Sequence, residues 1–304
     1  MYNDISNLTN DKERIIEALL NKIERKYKND IAVVVCYGSY ITGTAHKKSD
    51  LDFFFIPKTK NGYEMNMQFI IDDIGYDFWP LSWERAERIA DFKETIISII
   101  AEGVVVYYDN PDDLKRFNSL KERIKKSTES NTYKNNLINK AQKLLIEAKS
   151  IFFDMEFGSE EFELVDSKCA QILNLLSNVT ALINSTYIKK GVYNIENEAK
   201  NFSLLSEKFL ELFDLAVVSS NLSDKKNYLS EIIISVEELL EKIKRKKDNE
   251  ISNEYSKGFY EEIKSNYNKL IHACDNKDYL KAYFTTHLIV SETKSLLGEK
   301  YKSV

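Results

Sequence analysis

The residues best suited to chemistry lie in one short stretch. Gly38 and Ser39 come first, and ten residues separate Ser39 from Asp50, which is followed at the next position but one by Asp52. The two acids lie at the start of the apolar run 51–57, which predicts a buried strand. Side chains at positions i and i+2 of a strand point to the same face. Two carboxylates so close repel each other unless a cation is bound. The pair therefore predicts a divalent cation site, and its oxygen ligands favour Mg²⁺.

The Gly-Ser pair predicts a phosphate site beside these acids. Gly38 and Ser39 follow the apolar, β-branched run 31–37, which predicts another buried strand. A glycine at this point allows a tight turn and a close approach of the backbone to a ligand. Residues 40–44 can then begin a short helix whose free N–H groups face an anion, and the Ser39 hydroxyl is a further donor. Such a pair of sites suits phosphoryl or nucleotidyl transfer.

Two regions of different composition must position these residues. Residues 1–111 contain all three prolines and five of the nine glycines, whereas the remainder has no proline. The apolar patterns before position 111 predict helices over 10–28, 83–90 and 93–101 and strands over 31–37, 51–57, 65–72, 76–81 and 104–108. Apolar residues spaced three and four apart later predict helices over 137–153, 162–188, 202–216, 228–243, 259–273 and 279–297.

These patterns predict an α+β protein with two domains. Residues 1–110 are expected to form a catalytic domain, a mixed β-sheet with flanking helices. Residues 111–304 are expected to form an all-α helical bundle. The excess acidic charge lies in the first part, because residues 1–110 contain 13 basic and 18 acidic residues and the remainder contains 30 of each.

Composition also excludes several classes of protein. The formal charge of −5 argues against a broad nucleic-acid-binding surface, and it suits a cationic acceptor as well as it suits solubility. Three widely separated cysteines without a C-x-x-C pair argue against a disulfide framework and a zinc site. The apolar runs are too short to cross a membrane, and the first residues do not resemble a signal peptide. We therefore expect a cytoplasmic protein without a membrane partner.

The order Gly-Ser, ten residues, Asp-x-Asp between two strands resembles the signature of the DNA polymerase β-like nucleotidyltransferase superfamily. The resemblance implies that Gly38 and Ser39 bind the phosphates of a nucleotide, with Ser49 as a further contact. It also implies that Asp50 and Asp52 bind Mg²⁺. ATP or another nucleoside triphosphate would then be the co-substrate.

A third acid on a later strand is implied by the same resemblance, either as a metal ligand or as the group that activates the acceptor hydroxyl. The candidates are Asp72, Asp73 and Asp77. Asp77 is favoured because it lies among aromatic residues, whereas Asp72 and Asp73 are typical of a turn. A glutamate on the first helix of the helical domain acts as base in the antibiotic nucleotidyltransferases, and Glu147 is its counterpart here. The base is therefore expected to be Asp77 or Glu147.

The layout is most similar to the antibiotic nucleotidyltransferases that modify kanamycin and other aminoglycosides. The similarity is specific over residues 10–110 and only architectural beyond them, and it implies that the helical bundle over residues 111–304 binds the acceptor. It implies a Mg²⁺-dependent adenylyltransferase that transfers a nucleoside monophosphate to a hydroxyl of a small molecule, an aminoglycoside-type antibiotic, and so confers antibiotic resistance. Those enzymes are dimers, so the resemblance also implies a homodimer, although the sequence contains no dimer signature.

Two alternatives fit the same motif. One is a nucleotidyltransferase that modifies a protein or RNA partner, as an antitoxin does. The other is a non-catalytic regulator that binds nucleotides. The long helical part argues against the first, since such antitoxins are close to the minimal domain in size. The presence of both Asp50 and Asp52 argues against the second, since a regulator need not retain both. The acceptor and the preferred nucleotide are left open by the sequence.

Overall fold

The structure is a computed structural model that describes residues 10–158, 161–248 and 259–297. It consists of two compact units, divided between Val236 and Glu237. The larger unit contains the whole β-sheet and every residue predicted above to act in catalysis or binding. None of the helices among the described residues is long and apolar enough to cross a membrane.

The β-strands of the described residues share one sheet and are β1 (Ile31–Tyr37), β2 (Asp52–Pro57), β3 (Met67–Ile71), β4 (Ile74–Pro80) and β5 (Val104–Tyr108). The α-helices before the last strand are α1 (Asn10–Lys22), α2 (Ser39–Thr42), α3 (Trp83–Ala90) and α4 (Ser98–Ala101). The α-helices after it are α5 (Pro111–Glu129), α6 (Asn131–Glu156), α7 (Phe162–Ile183), α8 (Ile195–Ala199), α9 (Phe209–Val218), α10 (Leu222–Asp248), α11 (Phe259–Asp275) and α12 (Tyr279–Leu297). A π-helical turn over Ile23–Tyr27 extends α1, and 3₁₀ turns cover Asn61–Met65 and Val192–Asn194. A mixed sheet followed by helices confirms the predicted α+β class.

The sheet has the strand order β3-β4-β2-β1-β5. β1 is antiparallel to both β2 and β5, and β3 is antiparallel to β4. β2 and β4 are parallel neighbours. Because of these directions, the end of β1, the start of β2 and the first half of β4 lie at the same edge of the sheet.

The central strands are buried on both faces. Phe53 and Phe55 of β2 pack in one cluster with the apolar face of α1. Phe54 points the other way and contacts Phe117 of α5, with ring centroids 6.2 Å apart. A strand covered on both faces needs a continuous apolar run, which explains why 53–56 shows no alternation of polar and apolar residues.

Most predicted elements are present, with shifted ends. The turn between β3 and β4 lies at Asp72 and Asp73, where φ is +51° and +60°, one residue earlier than predicted. α5 was not predicted as a separate helix, although Asn110 caps it by accepting a hydrogen bond from the Asp113 N–H and Pro111 opens it.

The predicted helix over 93–101 was too long. After α3 ends, Phe92 has a left-handed backbone with φ +57°, and the Lys93 N–H returns to the Arg88 carbonyl. This turn redirects the chain, so that only Ser98–Ala101 forms a short helix before β5. α3 has the predicted boundaries, and Ser82 caps it by accepting a hydrogen bond from the Arg85 N–H.

The helical part begins at Pro111, where the strands end. The compact units divide later, between Val236 and Glu237, and the predicted domain boundary after residue 110 stays a prediction. In the smaller unit, α11 and α12 pack against each other, and the Asn266 amide donates a hydrogen bond of 3.0 Å to Glu292.

Candidate functional site

The pairing of three strands brings two of the predicted acids together. Tyr37, the last residue of β1, lies opposite Asp52, the first residue of β2. In the parallel pair of β2 and β4, Asp52 lies opposite Asp77. Asp52 and Asp77 are therefore neighbours at the edge of the sheet where the Gly38-Ser39 turn leaves β1. Asp72 and Asp73 lie at the β3–β4 turn instead.

Gly38 is required by its backbone and by its neighbour. Its φ is +86°, a conformation that residues with a side chain rarely adopt. A Cβ atom at this position would overlap Asp52 Oδ2 and lie 3.1 Å from the Asp52 Cγ. The Asp52 carboxylate therefore lies directly against the Gly38 backbone, and the glycine is needed for the contact as well as for the turn.

The helix predicted after Ser39 is a single turn. α2 covers Ser39–Thr42, and the Ile41 and Thr42 N–H groups donate to the Gly38 carbonyl at 3.1 and 3.0 Å. Gly43, with φ +70°, ends the turn. These bonds hold Ser39 at the start of the turn, next to Gly38. Phosphate binding by Ser39 stays a prediction.

Ser49 is fixed in the loop that leads to the acids. Its Oγ accepts a hydrogen bond of 2.8 Å from the His46 N–H, and its own N–H donates to the His46 carbonyl. The Lys12 ammonium donates to the Ser49 carbonyl and lies 3.9 Å from the centre of the Tyr40 ring. Because its Oγ accepts from the backbone, the Ser49 hydroxyl keeps its proton for another acceptor.

Lys12 is a structural anchor that the sequence analysis missed. It is buried on α1, on the same helix face as Ile15, Ile16 and Leu19. A lysine in the apolar stripe of an amphipathic helix is unusual, because burying an ammonium is costly without a partner. That position in the stripe was the signal in the sequence, and the Ser49 carbonyl is the partner.

The acids repel one another. The pKa of Asp52 is raised from 3.8 to about 6, first by burial and then by the negative charges of Asp50 and Asp77. Asp77 Oδ1 is buried and has no hydrogen-bond partner among the described residues. Both observations are consistent with a cation site. A cation nearby would favour the ionised form of the Asp52 carboxylate and would be a partner for the buried Asp77 oxygen.

The acids do not make up a complete metal centre by themselves. The described part of the chain contains no group of three or more His, Cys, Asp or Glu side chains arranged to hold a metal ion. A Mg²⁺ ion that shares its ligands with substrate phosphates needs only one or two protein carboxylates. The pair of Asp50 and Asp52 satisfies that requirement, and Mg²⁺ binding stays a prediction.

Most of the predicted site residues line one cavity of about 660 Å³. They are Gly38, Ser39, Ser49, Asp50 and Asp52. Asp77 is not among the lining residues, although it is adjacent to Asp52. Glu147 is exposed on α6 and does not line the cavity. We use the name motif wall for the residues from Gly38 to Asp52 that line this cavity.

A second part of the cavity wall was not predicted from the sequence. It is formed by residues 187–194, the basic turn, of which Lys189, Lys190, Gly191, Tyr193 and Asn194 line the cavity. The helix predicted over 162–188 ends at Ile183, and the chain then turns. Gly191 was the available signal in the sequence, because an isolated glycine commonly marks a turn or loop.

The basic turn is held on two sides. The Glu198 carboxylate accepts hydrogen bonds from the N–H groups of Lys189 and Lys190, at 2.8 and 2.6 Å. The Tyr187 hydroxyl donates to Glu102 at 2.7 Å, which joins the turn to the segment before β5. Burial and the Glu102 carboxylate raise the pKa of Tyr187, so the hydroxyl stays protonated and keeps donating.

Comparison with known proteins finds a family model that matches the first third of the chain. Residues 13–112 match the family model described as "Polymerase beta, Nucleotidyltransferase". No curated protein matches the sequence. One similar solved structure is a nucleotidyltransferase-like protein from Exiguobacterium sibiricum 255-15, with 10% sequence identity, 75% of each chain covered and a TM-score of 0.40. The residues matched by the family model, 13–112, include the whole motif wall.

Proposed function

We propose that this protein transfers a nucleoside monophosphate from a nucleoside triphosphate, with ATP as the first candidate, to a hydroxyl group of a small molecule. The observation that carries the proposal is the motif wall, in which the Asp52 carboxylate lies against the Gly38 backbone beside Ser39, Ser49 and Asp50. The cavity volume of about 660 Å³ is within the range of small-molecule sites. The family model over residues 13–112 supports nucleotidyl transfer in general.

Asp50 and Asp52 are the residues that would hold Mg²⁺, with Asp77 as the nearest further carboxylate. When bound, the ion would offset the charge of the phosphates and of the leaving pyrophosphate. The raised pKa of Asp52 and the unpartnered oxygen of Asp77 support this assignment.

The chain's own groups would bind and orient the donor. The Ser39 and Ser49 hydroxyls would donate hydrogen bonds to phosphate oxygens, and Gly38 allows the tight turn that brings Ser39 to the cavity beside Asp52. The acceptor oxygen then attacks the α-phosphorus, the bond from phosphorus to the bridging oxygen breaks, and pyrophosphate leaves. The proton of the acceptor hydroxyl passes to a carboxylate of the protein.

Asp77 is the better candidate for that proton acceptor. Neither residue lines the cavity, but Asp77 lies opposite Asp52 on the neighbouring strand, whereas Glu147 is exposed on α6. A general base must be within hydrogen-bond reach of the proton that it removes, directly or through one water. The structure therefore supports Asp77 over Glu147 within the proposed mechanism.

An aminoglycoside-type antibiotic is the first candidate acceptor. Besides the motif acids, Asp73 and Glu102 line the cavity, and carboxylates attract the amino groups of such molecules. Resistance to aminoglycosides, a homodimer and a cytoplasmic location belong to the same proposal and are based on the resemblance to the antibiotic nucleotidyltransferases.

A transfer assay tests this proposal. The full chain is incubated with Mg²⁺, each of the four nucleoside triphosphates labelled at the α-phosphate, and a panel of aminoglycosides and lincosamides. We expect label on a small molecule and release of pyrophosphate. Label on an added protein or RNA would support the antitoxin-like alternative, and nucleotide binding without any transfer would support the regulator.

The matched variants are Asp52→Asn and Asp214→Asn. Asp214 is exposed on α9 and does not line the cavity. We expect Asp52→Asn to lower the transfer rate by more than about 100-fold. Substitution of a group that only orients a metal ligand already lowers activity, and loss of the ligand itself should lower it further. Asp214→Asn should retain the wild-type rate. An Asp52→Asn protein with full activity would contradict the metal assignment.

A further inference from the structure

The basic turn contributes positive charge to a cavity whose other charged groups include several carboxylates. It lies outside residues 13–112, so the match to the polymerase β-like domain assigns it no role. Lys189 and Lys190 line the same cavity as Asp50 and Asp52, although about 140 residues separate the two pairs in the sequence. A nucleoside triphosphate brings several negative charges, which the carboxylates alone would repel.

The two lysines differ in their partners. The Lys189 ammonium lies 3.9 Å from Glu102 and 5.8 Å from the Tyr187 ring centre. The Lys190 ammonium has no ion-pair partner within the described ranges, and its side chain is exposed to solvent. An exposed ammonium at the wall of a cavity, on a backbone that is held in place, is able to bind an anion there.

The backbone of the turn is held by Glu198. One carboxylate oxygen accepts from the Lys189 N–H and the other accepts from the Lys190 N–H. Gly191 follows with φ +82°, and its carbonyl accepts from the Asn194 N–H at 3.0 Å. These bonds determine where the Lys190 side chain starts, so Glu198 acts on the cavity through the turn rather than by direct contact.

We propose that the basic turn binds the polyphosphate of the nucleotide, with Lys190 as the ligand of its β- or γ-phosphate and Glu198 as a positioning residue. This inference rests on the proposed function, because a nucleoside triphosphate is the polyphosphate that the motif wall is expected to hold. The motif wall and the basic turn would then bind the same phosphates from two distant parts of the chain.

Equilibrium binding tests the role of Lys190. Calorimetry would measure the dissociation constants of α,β-methylene ATP, which cannot be cleaved at the α-phosphate, and of AMP, both with Mg²⁺. We expect Lys190→Ala to weaken triphosphate binding by about 10- to 100-fold and to leave AMP binding within about two-fold, because only the triphosphate offers the terminal phosphates. Lys200→Ala is the control, since Lys200 is exposed and outside the cavity lining.

Glu198→Gln tests the positioning role. The amide has the size of the carboxylate, but its nitrogen cannot accept one of the two backbone hydrogen bonds. We expect KM for the nucleoside triphosphate to rise several-fold while kcat stays within about two-fold. Glu198→Asp, which keeps both acceptor oxygens, should recover part of the affinity. A purely structural role would lower the melting temperature without changing the ratio of triphosphate to AMP affinity.

The outcomes separate this inference from the proposed function. Equal triphosphate affinities of Lys190→Ala and Lys200→Ala would overturn the inference, while transfer by the wild type would still support the function. A change confined to the KM of the acceptor would also overturn it, and would assign the turn to the acceptor. A wild-type protein that neither binds nor transfers a nucleotide would overturn both. Lys190→Gln replaces Lys190→Ala if the alanine variant does not fold.

Discussion

The motif wall and the basic turn each contain a glycine with positive φ, yet the two glycines differ in what surrounds them. A Cβ at Gly38 would overlap the Asp52 carboxylate, which is carried by a central strand of the sheet. A Cβ at Gly191 would come within 2.8 Å of the Tyr193 ring, and Tyr193 is 85% exposed. The short Asp52 side chain starts on a central strand and has little room to turn away, whereas the exposed Tyr193 ring can turn into solvent.

This difference separates two kinds of functional surface. In the motif wall, the groups proposed for chemistry are also packed against the sheet, so a substitution there affects catalysis and stability together. In the basic turn, hydrogen bonds hold the backbone, and the side chains of Lys190 and Tyr193 are exposed to solvent. We therefore expect substitutions in the turn to change affinity with little cost in stability.

The largest contrast is expected between Gly38→Ala and Gly191→Ala. Both glycines combine a positive φ with an extended ψ, −156° at Gly38 and 159° at Gly191, a conformation that is essentially restricted to glycine, so an alanine costs either variant about 1–3 kcal/mol. Gly38→Ala must also displace Asp52, so we expect the free energy of unfolding to fall by more than about 2 kcal/mol and transfer to fall by about 100-fold. Denaturant unfolding and the transfer assay measure both quantities. Equal losses in the two variants would show that the glycines do not differ in this way.

The next contrast concerns the proton acceptor. Asp77→Asn should slow transfer by about 100-fold, the usual contribution of a general base, while the free energy of unfolding stays the same or rises because Asp52 loses a repelling neighbour. Glu147→Gln should keep the wild-type rate, since Glu147 is exposed outside the cavity lining. The transfer rates of both variants, measured at a saturating concentration of acceptor, test this prediction. A slow Glu147→Gln enzyme would instead indicate that Glu147, in the helical part of the chain, is the general base.

A smaller contrast is expected between two lysines that hold the two walls. Lys12→Met removes the buried ammonium that donates to the Ser49 carbonyl and should lower the free energy of unfolding by about 1–3 kcal/mol. Lys189→Met removes an exposed ion pair with Glu102 and should change it by less than about 1 kcal/mol. Thermal and denaturant unfolding of both variants provide the measurement, and a more stable Lys12→Met protein would refute the anchoring role.

A further expected effect is a pH dependence caused by Asp52. Its pKa is about 6 in the folded protein and 3.8 ordinarily, so the folded state binds its proton more tightly. The contribution of this residue to stability is therefore greatest below pH 4 and is lost as the pH rises towards 6. Without divalent ions, unfolding measured from pH 4 to 7 should show a steeper loss of stability in the wild type than in Asp52→Asn. Identical slopes would mean that the repulsion is absent.

The motif could be found from the sequence because its signals are local. The β-branched run before Gly38 and the apolar run after Asp52 predicted the two strands, and the spacing between Ser39 and Asp50 identified the loop. Residues 13–112 match a nucleotidyltransferase family model, in agreement with that interpretation. Roles for individual residues, which the sequence also suggested, stay predictions.

Only the pairing of the strands shows which of the three later acids is the neighbour of Asp52. Asp72, Asp73 and Asp77 lie within six residues, and local pattern distinguished only a turn from a strand. The parallel pairing of β2 and β4 placed Asp77 opposite Asp52. No local periodicity encodes which strand of a sheet becomes the neighbour of which, because that depends on how all the strands pack together.

The sequence by itself determined the five strands in chain order, the α+β class and the motif that begins at Gly38, because these depend on residue types and spacings along a short stretch. The tertiary structure decided that Lys12 holds Ser49, that Asp77 adjoins Asp52 and that the basic turn shares a cavity with the motif wall. Each of these contacts joins residues far apart in the chain. They form only when burial of the apolar core brings distant segments together, and a pattern of neighbouring residues does not record that result.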